Sequence, residues 1–326
     1  MSAYLGRTMN DADYGLGDVT IDCDEMGILD EGALTERIVR VFESKGYQPP
    51  RLPAVATELL ALSNRSDVEF SAVEALLEKD AMLAGEVLSL CKSAAYDRGG
   101  HINSLREALV RIGLAKLREI VMQAALSARV FRASAYKGCM EALQRHCRVT
   151  AHLARIVSQA TPLDEERAFL CGLLHDVGFA GILIVLSDTK RGEQPPKLDL
   201  LWPSIHGAHS IAGCRMVELW DLPSEIALAV TAHHNVSIDG YDHPLASIVC
   251  LAETLATELG KGFVPPARDA ASQSTLSELS LAESVHVDQS DDRTVQRALS
   301  AVGLDAKAWD QVQAAAQAWL ERAEAD

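Results

Sequence analysis

The sequence predicts an all-α protein of two helical lobes. Three observations carry that expectation: apolar residues recur at three- and four-residue spacing along most of the chain, period-two alternation is nearly absent, and proline-bearing breaks separate the periodic stretches. Gly181 to Leu186 is the one run that reads as a buried strand, and it continues a helical apolar pattern equally well.

Taken in order, residues 1–32 carry one basic and eight acidic side chains with scattered glycines and no sustained apolar period, so they read as an N-terminal extension without a core of its own. From Ala33 to Glu43 the spacing of Leu34, Ile38, Val39, Val41 and Phe42 predicts a first helix, stopped by Gly46 and the Pro49-Pro50 pair. Helical patterns follow at about 53–63, 70–78, 80–93, 104–112 and 114–130, with Asp80 and Ser104 placed as N-caps. These complete a first lobe, residues 33–137. The second lobe, residues 138–263, has patterns at about 138–160, 164–186, 203–219, 223–234 and 243–259, broken at Thr161-Pro162, at Arg191 to Pro196 and at Asp221-Leu222-Pro223. Residues 264–326 begin with a small-residue linker. Val295, Leu299, Val302, Leu304, Trp309, Val312, Ala316 and Trp319 then predict two further helices that close over the second lobe.

Composition narrows the function classes. With 48% hydrophobic and 23% charged residues over 326 positions, the chain can bury a sizeable core. Its net charge of −16, from 46 acidic and 30 basic residues, argues against binding a DNA or RNA backbone or an anionic membrane, each of which calls for concentrated positive charge. The longest unbroken apolar run, Phe179 to Leu186, is too short to span a bilayer, and the first residues lack a basic start followed by an apolar stretch. A cytoplasmic protein is expected. The seven cysteines, at 23, 91, 139, 147, 171, 214 and 250, are odd in number and lack paired spacing, so they read as reduced thiols.

The chemistry is concentrated in the second lobe. His175-Asp176 lies inside an apolar stretch with Phe169, Leu170, Leu173 and Leu174, where two polar groups need partners. Further candidates follow the same chain direction: His146 upstream, then His209, the adjacent pair His233-His234, and Glu253. Imidazole and carboxylate together suit zinc, manganese, iron or nickel, and a carboxylate can bridge two ions. Each position alone is open to a plainer reading: a His-Asp pair satisfying itself, a surface histidine at 209, a polar helix end at 233–234, a solvated face at 253. His152 and His206 lie nearby and read as bystanders, although His206, one turn from His209, could substitute for it.

The order His146, His175-Asp176, His209, His233-His234 and a carboxylate at 253 resembles the HD superfamily of metal-dependent phosphohydrolases, and more specifically the HDOD domains of bacterial signalling proteins, relatives of the HD-GYP domains. Arg51-Leu52-Pro53-Ala54-Val55, Lys79 to Leu83, Leu88 to Tyr96, Ser104 to Gly113 and Trp220-Asp221-Leu222-Pro223 carry the resemblance further, over roughly residues 35–260. The resemblance implies a helical fold in which His146, His175, Asp176, His209, His233, His234 and Glu253 hold one or two divalent transition-metal ions. It implies a regulatory protein that binds a signalling partner or a nucleotide second messenger. The alternative is a phosphomonoesterase or phosphodiesterase in which two ions bridged by Asp176 activate water. Two departures stand out. Gly178-Phe179 replaces the Gly-Lys of HD-GYP enzymes, removing a cation expected beside substrate phosphate, and Glu253 stands where aspartate is more usual.

Overall fold

A computed structural model describes residues 30–61, 81–91, 113–189, 194–263 and 291–324, with single positions at 73, 75, 77, 107 and 110. Residues 1–29 of the N-terminal extension, the linker after residue 263, most of the expected helices at 70–78 and 104–112 and the proposed caps Asp80 and Ser104 lie outside the described residues, while Asp30 caps the first helix and Glu31 and Gly32 begin it. The fold is all-α, as the periodicity predicts. Among the described residues the continuous α-helices are α1 Glu31–Glu43, α2 Ala54–Ala61, α3 Ala81–Cys91, α4 Leu114–Arg129, α5 Lys137–Ser158, α6 Glu165–Leu174, α7 Val177–Ser187, α8 Leu198–Leu219, α9 Ser224–Ala232, α10 Pro244–Glu258, α11 Asp292–Val302 and α12 Ala306–Glu324.

Local chemistry explains where they start and stop. Asp30, Asp164 and Asp291 accept from the backbone N–H groups of Ala33, Arg167 and Thr294, and so cap α1, α6 and α11. At the start of α10 the His243 ring caps Ala246, and Pro244 sits where a missing N–H costs nothing. Three expectations are corrected. The run 164–186 is two helices, because the backbone leaves helical geometry at Asp176 (φ −103°, ψ 10°). Pro203 does not open a helix; α8 begins at Leu198 and carries Pro203 in its second turn, close enough to the N-terminus that a single lost backbone bond is tolerated. Gly181 to Leu186 lies within α7, and the described residues do hold two short strands, β1 Ser237–Ile238 and β2 Tyr241–Asp242. Asp239 and Gly240, at φ 50° and 84°, make the two-residue turn between them.

Two hydrophobic cores share one helix. Leu117, Ile120, Val121, Ala124 and Ala125 of α4 pack with α2 and α3 in a smaller core, while Met122, Leu126 and Val130 enter the larger core of α5 to α12. The α1 helix, grouped by sequence with the first lobe, sends Leu34, Ile38, Val41 and Phe42 into the larger core against α8. Sequence nearness suggested one neighbour; the apolar face found another. Trp220 donates from its indole to the Pro50 carbonyl at 2.8 Å, pinning the chain entering the first lobe to the end of α8. The C-terminal helices do close over the second lobe: α11 packs on α10, and α12 lies along α5 with Trp319 stacked on His152 (ring centroids 4.8 Å, 26° between planes). Glu165–Ser187 has a mean hydropathy of 2.1, enough by length and composition to cross a membrane, yet 94% of it is buried inside the protein, and it is interrupted at Asp176.

Charges buried where α4 meets α5 and α6 are mutually paired. Arg155 pairs with Glu119 and sits over the Phe169 ring at 4.3 Å, and Arg118 grips Glu166. Beside them, burial and then the neighbouring Arg155, Lys116 and Arg148 charges hold His152 well below the ordinary histidine range. A histidine kept neutral in the fold takes up protons on unfolding, so its stabilising contribution is complete above the unfolded value of about 6.5 and is lost as pH falls below it. Urea unfolding of His152→Gln should therefore show a shallower loss of stability than the parent between about pH 6.5 and 5, by up to about 1.4 kcal/mol per pH unit.

Close helix crossings set the positions of the second lobe. A Cβ on Gly178 would lie 1.9 Å from the His209 carbonyl oxygen, and one on Gly172 would lie 2.9 Å from the Thr150 carbonyl, so α7 touches α8 and α6 touches α5 backbone to backbone. Gly178→Ala should lower unfolding free energy by about 2 kcal/mol or more, since backbone must move to admit the methyl group. Urea titration checks it.

Candidate metal centre

Four elements converge on Asp176. His146 comes from the middle of α5, His175 and Asp176 from the break between α6 and α7, and Glu253 from α10; their ligand atoms all lie within 4.8 Å of one another. His209 from α8 and His233-His234 from the end of α9 form a second group. All seven residues singled out in the sequence are thus brought together, in two groups rather than one. Six of them are between 0% and 5% exposed, and His234 is half-buried.

Asp176 faces both groups. Its Oδ2 lies 3.2 Å from His175 Nε2 and 3.6 Å from His146 Nε2, and its Oδ1 lies 3.5 Å from His209 Nε2 and 3.8 Å from His233 Nε2. Oδ1 is buried without a hydrogen bond among the described residues. Glu253 Oε1 is 3.3 Å from His175 Nε2. On the single helix expected over 164–186 the two side chains would project about 100° apart, but the chain is not helical through this point. The break turns Asp176 between the two groups while His175 stays at the end of α6.

The imidazoles are oriented by their other nitrogens. His175 Nδ1 bonds the Gly172 carbonyl at 2.8 Å, His233 Nδ1 the Val230 carbonyl at 2.6 Å, His209 Nδ1 the His206 carbonyl, and His146 Nδ1 the Lys261 carbonyl at 3.0 Å. A carbonyl only accepts, so each Nδ1 is the N–H and each neutral ring presents its bare Nε2 lone pair. His234 Nε2 lies 2.9 Å from His209 Nε2, and the four lone pairs fixed in this way face one another: His146 and His175 are 3.3 Å apart at Nε2, as are His209 and His233. Acceptors aimed at acceptors repel unless a cation lies between them. Metal bonds of about 2.1 Å place neighbouring ligand atoms roughly 3.0–3.5 Å apart, which the separations here approximate better than they do hydrogen bonds. The donor set fits one or two divalent transition-metal ions.

Electrostatics agrees. Burial opposes a charged His175, but Asp176 and Glu253 outweigh it and raise its affinity for a proton well above the ordinary histidine value. Burial, then the neighbouring His234, His175 and His209, keeps His233 well below that value. Despite its own burial, Asp176 is held below the usual carboxylate range by His175, His209 and His146. The Asp176 and Glu253 carboxylates thus favour positive charge at the centre.

Sequence reasoning placed two residues differently. His152 is correctly a bystander, fixed on Trp319 and Phe169. His206 is more than that: its carbonyl orients His209, and its ring lies beside those of His209 and His234. Phe179 was read as a missing phosphate-binding cation. Its ring is buried and stacks on His209 (4.1 Å, 5°) and on Trp202 (5.2 Å, 4°), with Phe263 against both aromatic rings. A lysine there would carry its ammonium into an aromatic stack, so Phe179 positions a histidine rather than leaving a gap. Sequence analysis missed Trp202, Phe263 and Lys261, whose roles come from a ring face and a backbone carbonyl and leave no motif.

Comparison with known proteins gives these features a family setting. The HDOD domain profile matches residues 50–236. An uncharacterized protein of Treponema pallidum (strain Nichols) is 26% identical over 215 residues, covering 62% of this chain and 41% of that protein. Ribonuclease Y of Mycoplasma genitalium (strain ATCC 33530 / DSM 19775 / NCTC 10195 / G37) is 32% identical over 91 residues, 28% of this chain and 14% of that one. The chain thus spans well under half the length of these relatives. Among solved structures, an HDOD domain protein of unknown function from Geobacter sulfurreducens superposes with a TM-score of 0.57 at 21% identity, covering 89% of this chain and 99% of its own. A protein from Marinobacter aquaeolei VT8, provisionally named for signal transduction, gives 0.63 at 19% identity over 94% and 66%. One from Shewanella amazonensis SB2B, provisionally named a metal-dependent phosphohydrolase, gives 0.57 at 17% over 88% and 99%. At these identities the likeness is one of fold.

Protein prepared without chelator and reconstituted with zinc, manganese or iron should hold up to two ions per chain by elemental analysis. His146→Ala should lower the number by about one ion, as should His233→Ala, and Asp176→Ala should lower both occupancies, because loss of a ligand typically costs far more than the 10–100-fold seen for outer partners.

Proposed function

The chain belongs to the HDOD family, and from that premise we propose that it is a regulatory protein built around a two-metal centre, whose chemistry is hydrolysis of a phosphate ester. The observation that carries this reading is Asp176, whose two carboxylate oxygens face separate groups of buried imidazoles. His146, His175 and Glu253 would hold one ion, His209, His233 and His234 the other, with Asp176 shared. Ions held there would lower the pKa of bound water and stabilise charge on a phosphoryl group. The chain's own residues fix the geometry: backbone carbonyls orient the rings, Phe179 holds His209 flat, and the close crossing at Gly178 sets α7 against α8.

A second reading is favoured by the aromatic surroundings. Phe179, Trp202 and Phe263 put aromatic rings rather than cations beside His209, and Arg215, near His209 in sequence, is turned to Glu218 on α8. In this reading the metal is structural and the HDOD fold acts as an adaptor that recognises a signalling protein or a nucleotide messenger, in keeping with the provisional name of its Marinobacter relative.

One assay separates the two. Metal-loaded protein incubated with bis(p-nitrophenyl) phosphate and p-nitrophenyl phosphate in manganese or iron should release p-nitrophenol, and Asp176→Asn should reduce the rate by at least about a hundredfold, the scale of losing one charge-stabilising group. Metal-loaded protein with no turnover would leave the adaptor.

A further inference from the structure

The four oriented histidines are not held alike. His175, His209 and His233 bond carbonyls three residues back in their own helices, so their orientation comes with the helix. His146 bonds the carbonyl of Lys261, 115 positions away. Residues 259–263, which follow α10, therefore contribute to the centre without contributing a ligand.

The path of this strap is set by backbone chemistry. Gly260 adopts a left-handed conformation (φ 68°) just past the helix, and Lys261 N–H returns to the Ala256 carbonyl at 2.6 Å. That is the geometry in which glycine ends a helix and redirects the chain. The turn brings the Lys261 carbonyl to His146 and then lays Phe263 against the same ring (6.2 Å, 28°). Phe263 also meets Phe179 and Trp202 at 5.6 Å each, so it links His146 to the aromatic stack that supports His209. It is half-buried, whereas the ligands beneath it are buried. The outer side of the strap is tied to α12: Lys261 Nζ pairs with Glu324, and Glu258 accepts from Gln313 at 3.1 Å. Both contacts are exposed and contribute little stability, but they fix where the strap lies. The anchor is the packed part of α12, where Trp319 stacks on His152 of α5, the helix that also carries His146.

We propose that the strap 259–263 is a positioning element for His146, with Phe263 as its closing residue, and that it governs how fast the ion of the His146 group is exchanged. The proposal rests on the metal reading above. The strap and α12 both lie beyond the stretch matched by the family profile.

The full chain loaded with zinc is mixed with a chromogenic chelator, and release is followed for the parent, Phe263→Ala and Phe263→Tyr. One of the two ions should leave about tenfold faster from Phe263→Ala, within the range for loss of an outer-shell partner, while the other keeps its parental rate and Phe263→Tyr restores the first. Identical release from parent and Phe263→Ala, or equal acceleration of both ions, overturns the proposal. Should Phe263→Ala fail to fold, Phe263→Leu takes its place. A metal-free measurement stands apart from the metal reading: deuterium exchange at the imidazole C2–H, read by mass spectrometry, should accelerate at His146 and stay unchanged at His175. A chain that binds no zinc but shows this selective exchange would defeat the metal reading and keep the strap. Unchanged exchange at His146 would defeat the strap.

Discussion

The larger lobe is organised around one buried negative charge. A carboxylate at Asp176, sealed among apolar helices, is costly unless positive charge or hydrogen-bond donors reach it. The helices answer with four imidazoles whose donor nitrogens are all committed to backbone carbonyls, leaving lone pairs turned inward. Such an arrangement is satisfied by a cation and by little else. The crossings at Gly172 and Gly178, the break between α6 and α7 and the stack on His209 all serve to hold it.

Much of this was legible from residues alone. The apolar spacing of Leu34, Ile38, Val41 and Phe42 found α1, and the order of His146, His175-Asp176, His209, His233-His234 and Glu253 named the seven side chains of the two groups. What periodicity could not supply was the break at Asp176, because residues on both sides of it are apolar all round and the pattern runs through without a mark. The partner of α1 was equally hidden: a stripe of apolar residues states that a helix is buried, not against what. Phe179 shows the limit of a motif. Its departure from Gly-Lys was visible, but its role depends on a ring face 4.1 Å away on another helix. Trp220 is the converse, since the indole of one short motif bonds the carbonyl of Pro50, directly before another, and a resemblance spread over distant segments becomes a contact.

The smaller core is joined to the larger through α4, which has no polar face of the usual kind. Leu117, Ile120, Val121 and Ala124 look one way and Met122, Leu126 and Val130 the other, so neither core can be dismantled without exposing part of a helix the other needs. The ion pairs of Arg118 and Glu119 with α6 and α5 add a demand for register, since breaking one partner of a buried pair strands the other. Helices α5 and α6, which carry His146 and lead to His175, are thereby tied to the smaller core.

The two adjacent ligand pairs share a position that bears on more than side chains. His175 closes α6 and His233 closes α9, each at the carboxyl end of its helix. Last-turn carbonyls there, among them Gly172 and Val230 with their bonds to the two rings, carry the negative end of the peptide dipoles, equivalent to about half an elementary charge per helix. At α6 that end meets the positive start of α7 at Val177, beside Asp176, whereas at α9 no helix start among the described residues opposes it so closely, so replacing His233 would leave part of the main chain's attraction for a cation behind.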